Sequence, residues 1–317
     1  MYRTMVLARA LDERANILYR QGKIAFTVTG IGHEGAQVGA VWALRAGHDV
    51  AMPYYRDTAV VLALGMTPEE IMLGEFARAA DPSSGGRQMP KHWGHKALNI
   101  PSGSSPVGTQ IPHAAGLGLA VKLKGEDKVV WVSFGDGAVS RGDFHEGINF
   151  AAIHKLPVIF YCQNNRYAIS VPFAKQSPVP NVATRALAYG IPGVTVDGAD
   201  VFAVYGAMRE AVERARRGEG PTLIEALTYR MDPHTTNDDD RKYRPREEVE
   251  RARREQDPVR RLREYVLSHG LASSEELEQL EERARQEALE AARKAEAAPP
   301  PEGPTALRHV YAEEGSA

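Results

Sequence analysis

Two short polar clusters in the middle of the chain carry residue types that could do chemistry. Gly135-Asp136-Gly137 closes one apolar run, Asn164-Asn165 closes the next, and residues 138–163 lie between them. Glycines at 135 and 137, with the small Ala138 after them, let backbone approach phosphate oxygens, and a helix start just beyond favours negative charge. Asp136 offers a hard anionic oxygen and Asn165 a neutral amide oxygen. Magnesium takes about six oxygens, commonly from one or two protein groups with phosphates completing the shell. The pair therefore reads as a clamp for a diphosphate held through a divalent cation. Two tight turns after buried strands would use the same residue types. A second constellation, His234 to Arg244, sets a histidine beside the acidic run Asp238 to Asp240. Taken alone, it suits a solvated acidic loop as well as a proton-handling site.

The elements that must position these residues are legible in the apolar pattern. Lys128–Phe134 and Leu156–Cys162 are near-continuous apolar runs, and the spacing between them predicts a helix over 142–154. A further unit follows: helix over 182–189, strand over 194–196, helix over 201–217 and strand over 222–228. Such alternation predicts an α/β fold, a parallel sheet with helices on both faces, in which ligands bind beyond the carboxyl ends of the strands. All three clusters stand at such ends. Upstream, helices are predicted over 2–21 and 33–45, and another opens at Thr67-Pro68-Glu69-Glu70, a capping box with proline at its first position. The stretch 80–105, rich in Gly, Pro, Ser and His, reads as a long loop, a feature compact domains keep chiefly for a site. Residues 247–298, dense in Glu, Arg and Ala, predict surface helices or an extension resting on a partner, stopped by Pro299-Pro300-Pro301. The expected division is an α/β domain over 1–245 and a helical extension with tail over 246–317.

Composition removes several function classes. The 317 residues hold 39 basic and 41 acidic side chains, so no concentrated positive field exists for nucleic acid. The longest stretch without Asp, Glu, Lys or Arg, 97–121, is too polar to cross a membrane. Charges within the first fifteen residues would interrupt a signal core. One cysteine, Cys162, allows no disulfide within the chain and fits a reducing compartment, so a soluble cytoplasmic protein is expected.

With those residues in view, the spacing of Gly135-Asp136-Gly137 and Asn164-Asn165 resembles the fingerprint of thiamine diphosphate proteins. The flanking text, Phe134 to Ala138, Gly147 to Ala152 and Asn164 to Ser170, resembles the alpha subunit of the decarboxylating component of 2-oxo acid dehydrogenase complexes. The resemblance runs from Gly32-His33-Glu34-Gly35 to the closing tail. It implies that Asp136, Asn165 and the main-chain carbonyl of Tyr167 hold Mg²⁺. It also implies that Tyr55 and Arg56 contact the diphosphate, and that Ser105, Val107, Gly135, Gly137 and Ala138 line the cofactor. His234 would approach the cofactor and serve as the catalytic residue. A monovalent cation, K⁺, would sit near Ser104, Pro106, Thr109 and Gln110, although a capped helix start explains the same residues. Two departures stand out: Arg141 replaces a usual acidic residue, and Gln163 replaces an Arg that reaches phosphate in some relatives. The loop Gly86 to Asn99 resembles the branched-chain version of the family. The reaction implied is oxidative decarboxylation of a branched 2-oxo acid such as 3-methyl-2-oxobutanoate, with the acyl group passed to lipoamide. The implied partners are a beta subunit, which brings the glutamate that activates the cofactor in an α2β2 heterotetramer, and a lipoyl-bearing acyltransferase component. A pyruvate or acetoin enzyme, or a non-catalytic scaffold of the same fold, are the alternatives.

Overall fold

A computed structural model describes residues 1–308 and 311. The chain begins with α1 (Tyr2–Arg20), whose buried Leu7, Leu11 and Leu18 form one stripe while Met5 is buried on another side of the helix. Then come α2 (Glu34–Val41), buried along its whole length, and the short strand β1 (Val50–Met52). Helices α3 (Thr58–Leu64) and α4 (Pro68–Glu75) follow. The expected capping box starts α4: Thr67 Oγ1 accepts the Glu70 N–H, and the Glu70 carboxylate accepts the Thr67 N–H. After the loop come α5 (Gln110–Lys124), β2 (Val130–Gly135), α6 (Gly142–Ile153) and β3 (Val158–Asn164). A two-residue hairpin, β4 (Tyr167–Ala168) and β5 (Val171–Pro172), precedes β6 (Gly193–Asp197), α7 (Val201–Arg216) and β7 (Thr222–Leu227). The chain ends in α8 (Arg246–Glu255), α9 (Pro258–Ser268) and α10 (Ser274–Ala297).

The five long-range strands form one parallel sheet in the order β1-β2-β3-β7-β6. Side chains alternate across it. Trp131, Ile159, Tyr161, Ile224 and Ala226 pack with α1, α2, α7 and α10, while Val130, Val132, Phe134, Phe160 and Leu223 pack with α5 and α6. Both faces are therefore covered, which is why the strands read as continuous apolar runs. Register aligns the strand ends: Gly135 pairs with Gln163 and Asn164 with Leu227. That alignment brings the polar clusters to one edge.

Boundaries differ from expectation in places. The helix expected over 33–45 stops at Val41, and residues 183–189 form a 3-10 helix instead of an α-helix. Strand β1 and helices α3 and α5 give little periodic signal: β1 has three residues, α3 is apolar on most sides, and α5 carries Pro112 with the small residues Ala114, Ala115, Gly116, Gly118 and Ala120. Within the C-terminal helices, α10 lies along α1 and α4, and its Leu277, Ala284, Ala288 and Ala291 belong to the same core as α1. No helix among the described residues is long and apolar enough to cross a membrane.

Candidate functional site

Beyond the carboxyl ends of β2, β3 and β7 the loops enclose a cavity of about 420 Å³. Every residue singled out as a thiamine diphosphate or Mg²⁺ contact lines it. Tyr55 and Arg56 come from the turn before α3, Ser105 and Val107 from the long loop before α5, and Gly135 to Ala138 from the turn after β2. Asn165 and Tyr167 follow β3, and His234 follows β7. Ser104, Pro106 and Gln110 also line the cavity; Thr109 does not, its hydroxyl being bonded to Ser104 and to the Pro106 carbonyl.

Asp136 opens a 3-10 turn and is 1% exposed. Its Oδ1 accepts the Asn165 N–H at 3.2 Å and its Oδ2 accepts Gln176 Nε2 at 2.9 Å. Burial raises its pKa above the ordinary carboxylate value, against the pull of those hydrogen bonds and of Arg230. No cationic side chain forms an ion pair with it among the described residues. The two asparagines divide their work. Asn164 Nδ2 donates to Glu225 at 2.7 Å and its Oδ1 takes the Arg166 N–H, so it shapes the turn, whereas Asn165 lines the cavity wall while its Oδ1 takes the Tyr167 N–H at 3.3 Å. Arg166 and Ile169, on either side of Tyr167, hold φ of 76° and 53°, the kind of strained backbone that persists where surrounding contacts enforce it.

The glycines differ in why they are glycine. A Cβ on Gly137 would stand 2.9 Å from the Ala168 Cβ, so packing of the turn on β4 requires it. A Cβ on Gly135 would meet only the Tyr54 ring at 3.7 Å, and its φ is an ordinary −86°. Nothing in the fold demands glycine there; its absent side chain leaves room along the cavity wall. A single buried carboxylate, a neighbouring amide oxygen, a nearby carbonyl and an open glycine wall make a donor set suited to a divalent cation carrying a diphosphate. No group of three or more His, Cys, Asp or Glu gathers among the described residues, so a metal cage built from protein alone is not what this edge offers.

Arg56 is 1% exposed and already heavily engaged. Nη1 donates to the Thr29 carbonyl at 3.0 Å, Nη2 to the His234 carbonyl and Nδ1, both at 2.9 Å, while the buried Nε has no partner. A guanidinium can only donate. Nδ1 of His234 must therefore accept, which places the ring proton on Nε2. Burial, then the charges of Arg56 and Arg230, hold the His234 pKa down to about 3. The residue is a neutral N–H donor at physiological pH. The acidic run orders its loop: Asp238 accepts the His234 N–H at 2.8 Å and Asp240 pairs with Arg244 at 2.6 Å.

Gln163 points away from the cavity, to Asp57 Oδ1 at 2.6 Å and Gln37 at 3.2 Å. Asp57, which also accepts from Ser133 and the Tyr54 N–H, is pushed up to about 7 by burial. This buried network escaped the sequence reading, as did Arg230, which donates to the Ile169 carbonyl at 2.7 Å and the Tyr167 carbonyl at 3.4 Å. The available signal for Arg230 was a basic residue three positions beyond a strand end, between Tyr229 and Met231. Arg141 lines the cavity with its side chain 56% exposed.

A model of the family described as Dehydrogenase E1 component matches residues 2–303. The chain is 53% identical over 312 residues to "2-oxoisovalerate dehydrogenase subunit alpha" of Bacillus subtilis (strain 168), covering 98% of this chain and 94% of that one. It is 43% identical over 290 residues to "3-methyl-2-oxobutanoate dehydrogenase subunit alpha" of Mycobacterium tuberculosis (strain ATCC 25618 / H37Rv), covering 90% and 74%. It is 40% identical over 313 residues to the mitochondrial "2-oxoisovalerate dehydrogenase subunit alpha" of Homo sapiens, covering 99% and 70%.

Proposed function

The chain belongs to the dehydrogenase E1 component family, and on that premise we propose that it is the alpha subunit of a branched-chain 2-oxo acid dehydrogenase. The reaction is oxidative decarboxylation of a branched 2-oxo acid with acyl transfer to lipoamide. The names of the relatives support the substrate class, and the observation that carries the reading is Asp136 beside Asn165 at adjacent strand ends, on one cavity with His234. The family is thiamine diphosphate-dependent, and the cofactor, when bound, supplies the electron sink that lets a 2-oxo acid lose carbon dioxide. Asp136, Asn165 and the Tyr167 carbonyl would hold Mg²⁺. Tyr55, Arg56, Ser105, Val107, Gly135, Gly137 and Ala138 would line the diphosphate end, with Arg56 still carrying one unpartnered N–H at Nε. A K⁺ near Ser104, Pro106, Thr109 and Gln110 would brace the loop that carries Ser105.

His234 contributes a fixed Nε2–H. It orients an oxygen and stabilises charge on it, and at neutral pH it has no proton to release as imidazolium. The protein works as half of a site. A beta subunit completes it in an α2β2 assembly, and a lipoyl-bearing acyltransferase component takes the acyl group. Cys162, free and buried, fits a reducing compartment such as the cytoplasm. The retained clamp residues disfavour a non-catalytic scaffold. The test is turnover by the chain reconstituted with its beta subunit: 3-methyl-2-oxobutanoate is expected to be used with higher kcat/KM than pyruvate. The reverse preference would move the assignment to a pyruvate enzyme.

A further inference from the structure

The loop that walls the cavity between Met89 and Trp93 holds a residue the proposed chemistry does not use. Lys91 is a non-glycine residue with φ of 64°, and its side chain is 1% exposed. Its ammonium donates to Asp12 Oδ1 at 2.5 Å and to Thr58 Oγ1 at 3.1 Å, and lies 3.4 Å from Glu75 Oε1. Those three partners belong to α1, α3 and α4, so a single charge ties the loop to three helices. Burial alone would lower the lysine pKa, but the Asp12 and Glu75 carboxylates outweigh it and hold the ammonium charged. A buried cation is tolerated only with partners of this quality, and an L-residue in the left-handed region is strained. Both features say that the loop is held here against its local preference.

The same Asp12 reaches the rest of the site. Its Oδ2 accepts the Gly30 N–H at 2.6 Å, next to the Thr29 carbonyl that holds Arg56, and Thr58 follows Arg56 by two residues. On the other side of Lys91, Trp93 Nε1 donates to the Tyr54 carbonyl at 3.0 Å and His92 Nε2 meets Ser105 Oγ at 2.9 Å. We propose that Lys91 is a positioning residue for the substrate: its ammonium, tied to Asp12, Thr58 and Glu75, pins the cavity wall Met89–Trp93 and so sets which 2-oxo acid side chains fit. The lysine touches no reacting atom. It acts through the apolar Met89 and Pro90 that it holds on the cavity lining. The proposal rests on the function given above for the same cavity.

The experiment uses the full chain assembled with its beta subunit, in wild type, Lys91→Met and Lys91→Gly. Glycine adopts the positive φ freely, so it removes the charge without the strain. Lys91→Met combined with Glu75→Gln, which removes one of the two carboxylates left without a cation, is the variant to use should the single ones not assemble. The backbone amides of residues 89 and 91–93 (residue 90, a proline, has none) and of Gly103, whose N–H is bonded to the Trp93 carbonyl, are expected to exchange at least about tenfold faster in the variants. The ratio of kcat/KM for 3-methyl-2-oxobutanoate over pyruvate is expected to fall by about tenfold, mainly through KM. Loss of stability alone would reduce the active fraction and lower both substrates equally. Unchanged exchange at 89–93 would overturn the pin, and faster exchange with an unchanged ratio would overturn its role in selectivity. Wild-type assembly that turned over neither acid would refute the branched-chain reading instead, and the exchange measurement would still decide the pin.

Discussion

Because the Arg56 guanidinium can only donate, its bond to Nδ1 leaves His234 with one N–H and no positive charge. His234→Ala is therefore expected to lower turnover by about 10²–10³-fold, the usual cost of one preorganised donor. Steady-state kinetics of the reconstituted enzyme should show no titration near pH 6.5 that disappears with the histidine. Asp136→Ala differs in kind. It removes the only carboxylate of the clamp, so Mg²⁺-dependent binding of thiamine diphosphate should be abolished, as read by titration calorimetry, with the circular dichroism spectrum retained. Equal losses of cofactor affinity in the two variants would mean that His234 holds the diphosphate. The depressed pKa also has a sign for stability. Between about 6.5 and 3 the unfolded chain binds a proton at this histidine that the folded chain does not. Its contribution is complete above pH 6.5 and is lost as pH falls, so His234→Ala should flatten the acid side of a urea-stability profile. Asp57, raised to about 7, works in the opposite direction, losing its contribution as pH rises from the carboxylate range towards 7.

At the scale of elements, the site depends on three parallel strands whose ends are aligned by register, and on helices that keep those strands from shifting. Helix α10 backs these supports by lying along α1 and α4. Its N-terminus is a complete capping box, Ser273 Oγ accepting the Glu276 N–H at 3.2 Å and the Glu276 carboxylate accepting the Ser273 N–H at 2.7 Å. Ser273→Ala should cost about 1 kcal/mol in chemical denaturation, without affecting cofactor affinity. Small residues let α10 lie close on α1: Ala288 is 1% exposed and shares a core with Met5 and Leu11. Ala288→Leu should be worse, by about 1–3 kcal/mol, because the interface has no room for three more carbons.

At the scale of the whole molecule, the cavity is bordered by loops from both halves of the sheet, so a ligand that fills it joins segments more than a hundred residues apart. Thiamine diphosphate with Mg²⁺ at about a hundred times its Kd should stabilise the assembled protein by about 2.7 kcal/mol. Chelation of the metal should remove most of that gain in a thermal-shift measurement. Purified alone, the chain should decarboxylate no 2-oxo acid, since the proposed activating glutamate is on the beta subunit. Full activity from the isolated chain would refute the two-chain site.

The α/β class, both polar clusters and their placement at strand ends were legible in the sequence. Continuous apolar strands, turn-forming Gly, Asp and Asn, and the capping box at Thr67 are local signals that survive without knowledge of the fold. What Gly135 and Gly137 each contribute was not legible, because one is fixed by Ala168 across a turn and the other only by the room it leaves. Neither was the direction of Gln163, which strand alternation turns towards Asp57 and Gln37, a residue 126 positions away. The charge state of His234 follows the same rule. A histidine in an acidic run reads as protonatable, but tertiary contacts place Arg56, 178 residues distant, against its ring. Residue type sets which chemistry is available; burial and long-range partners, which only folding supplies, decide the proton inventory and the direction of each group.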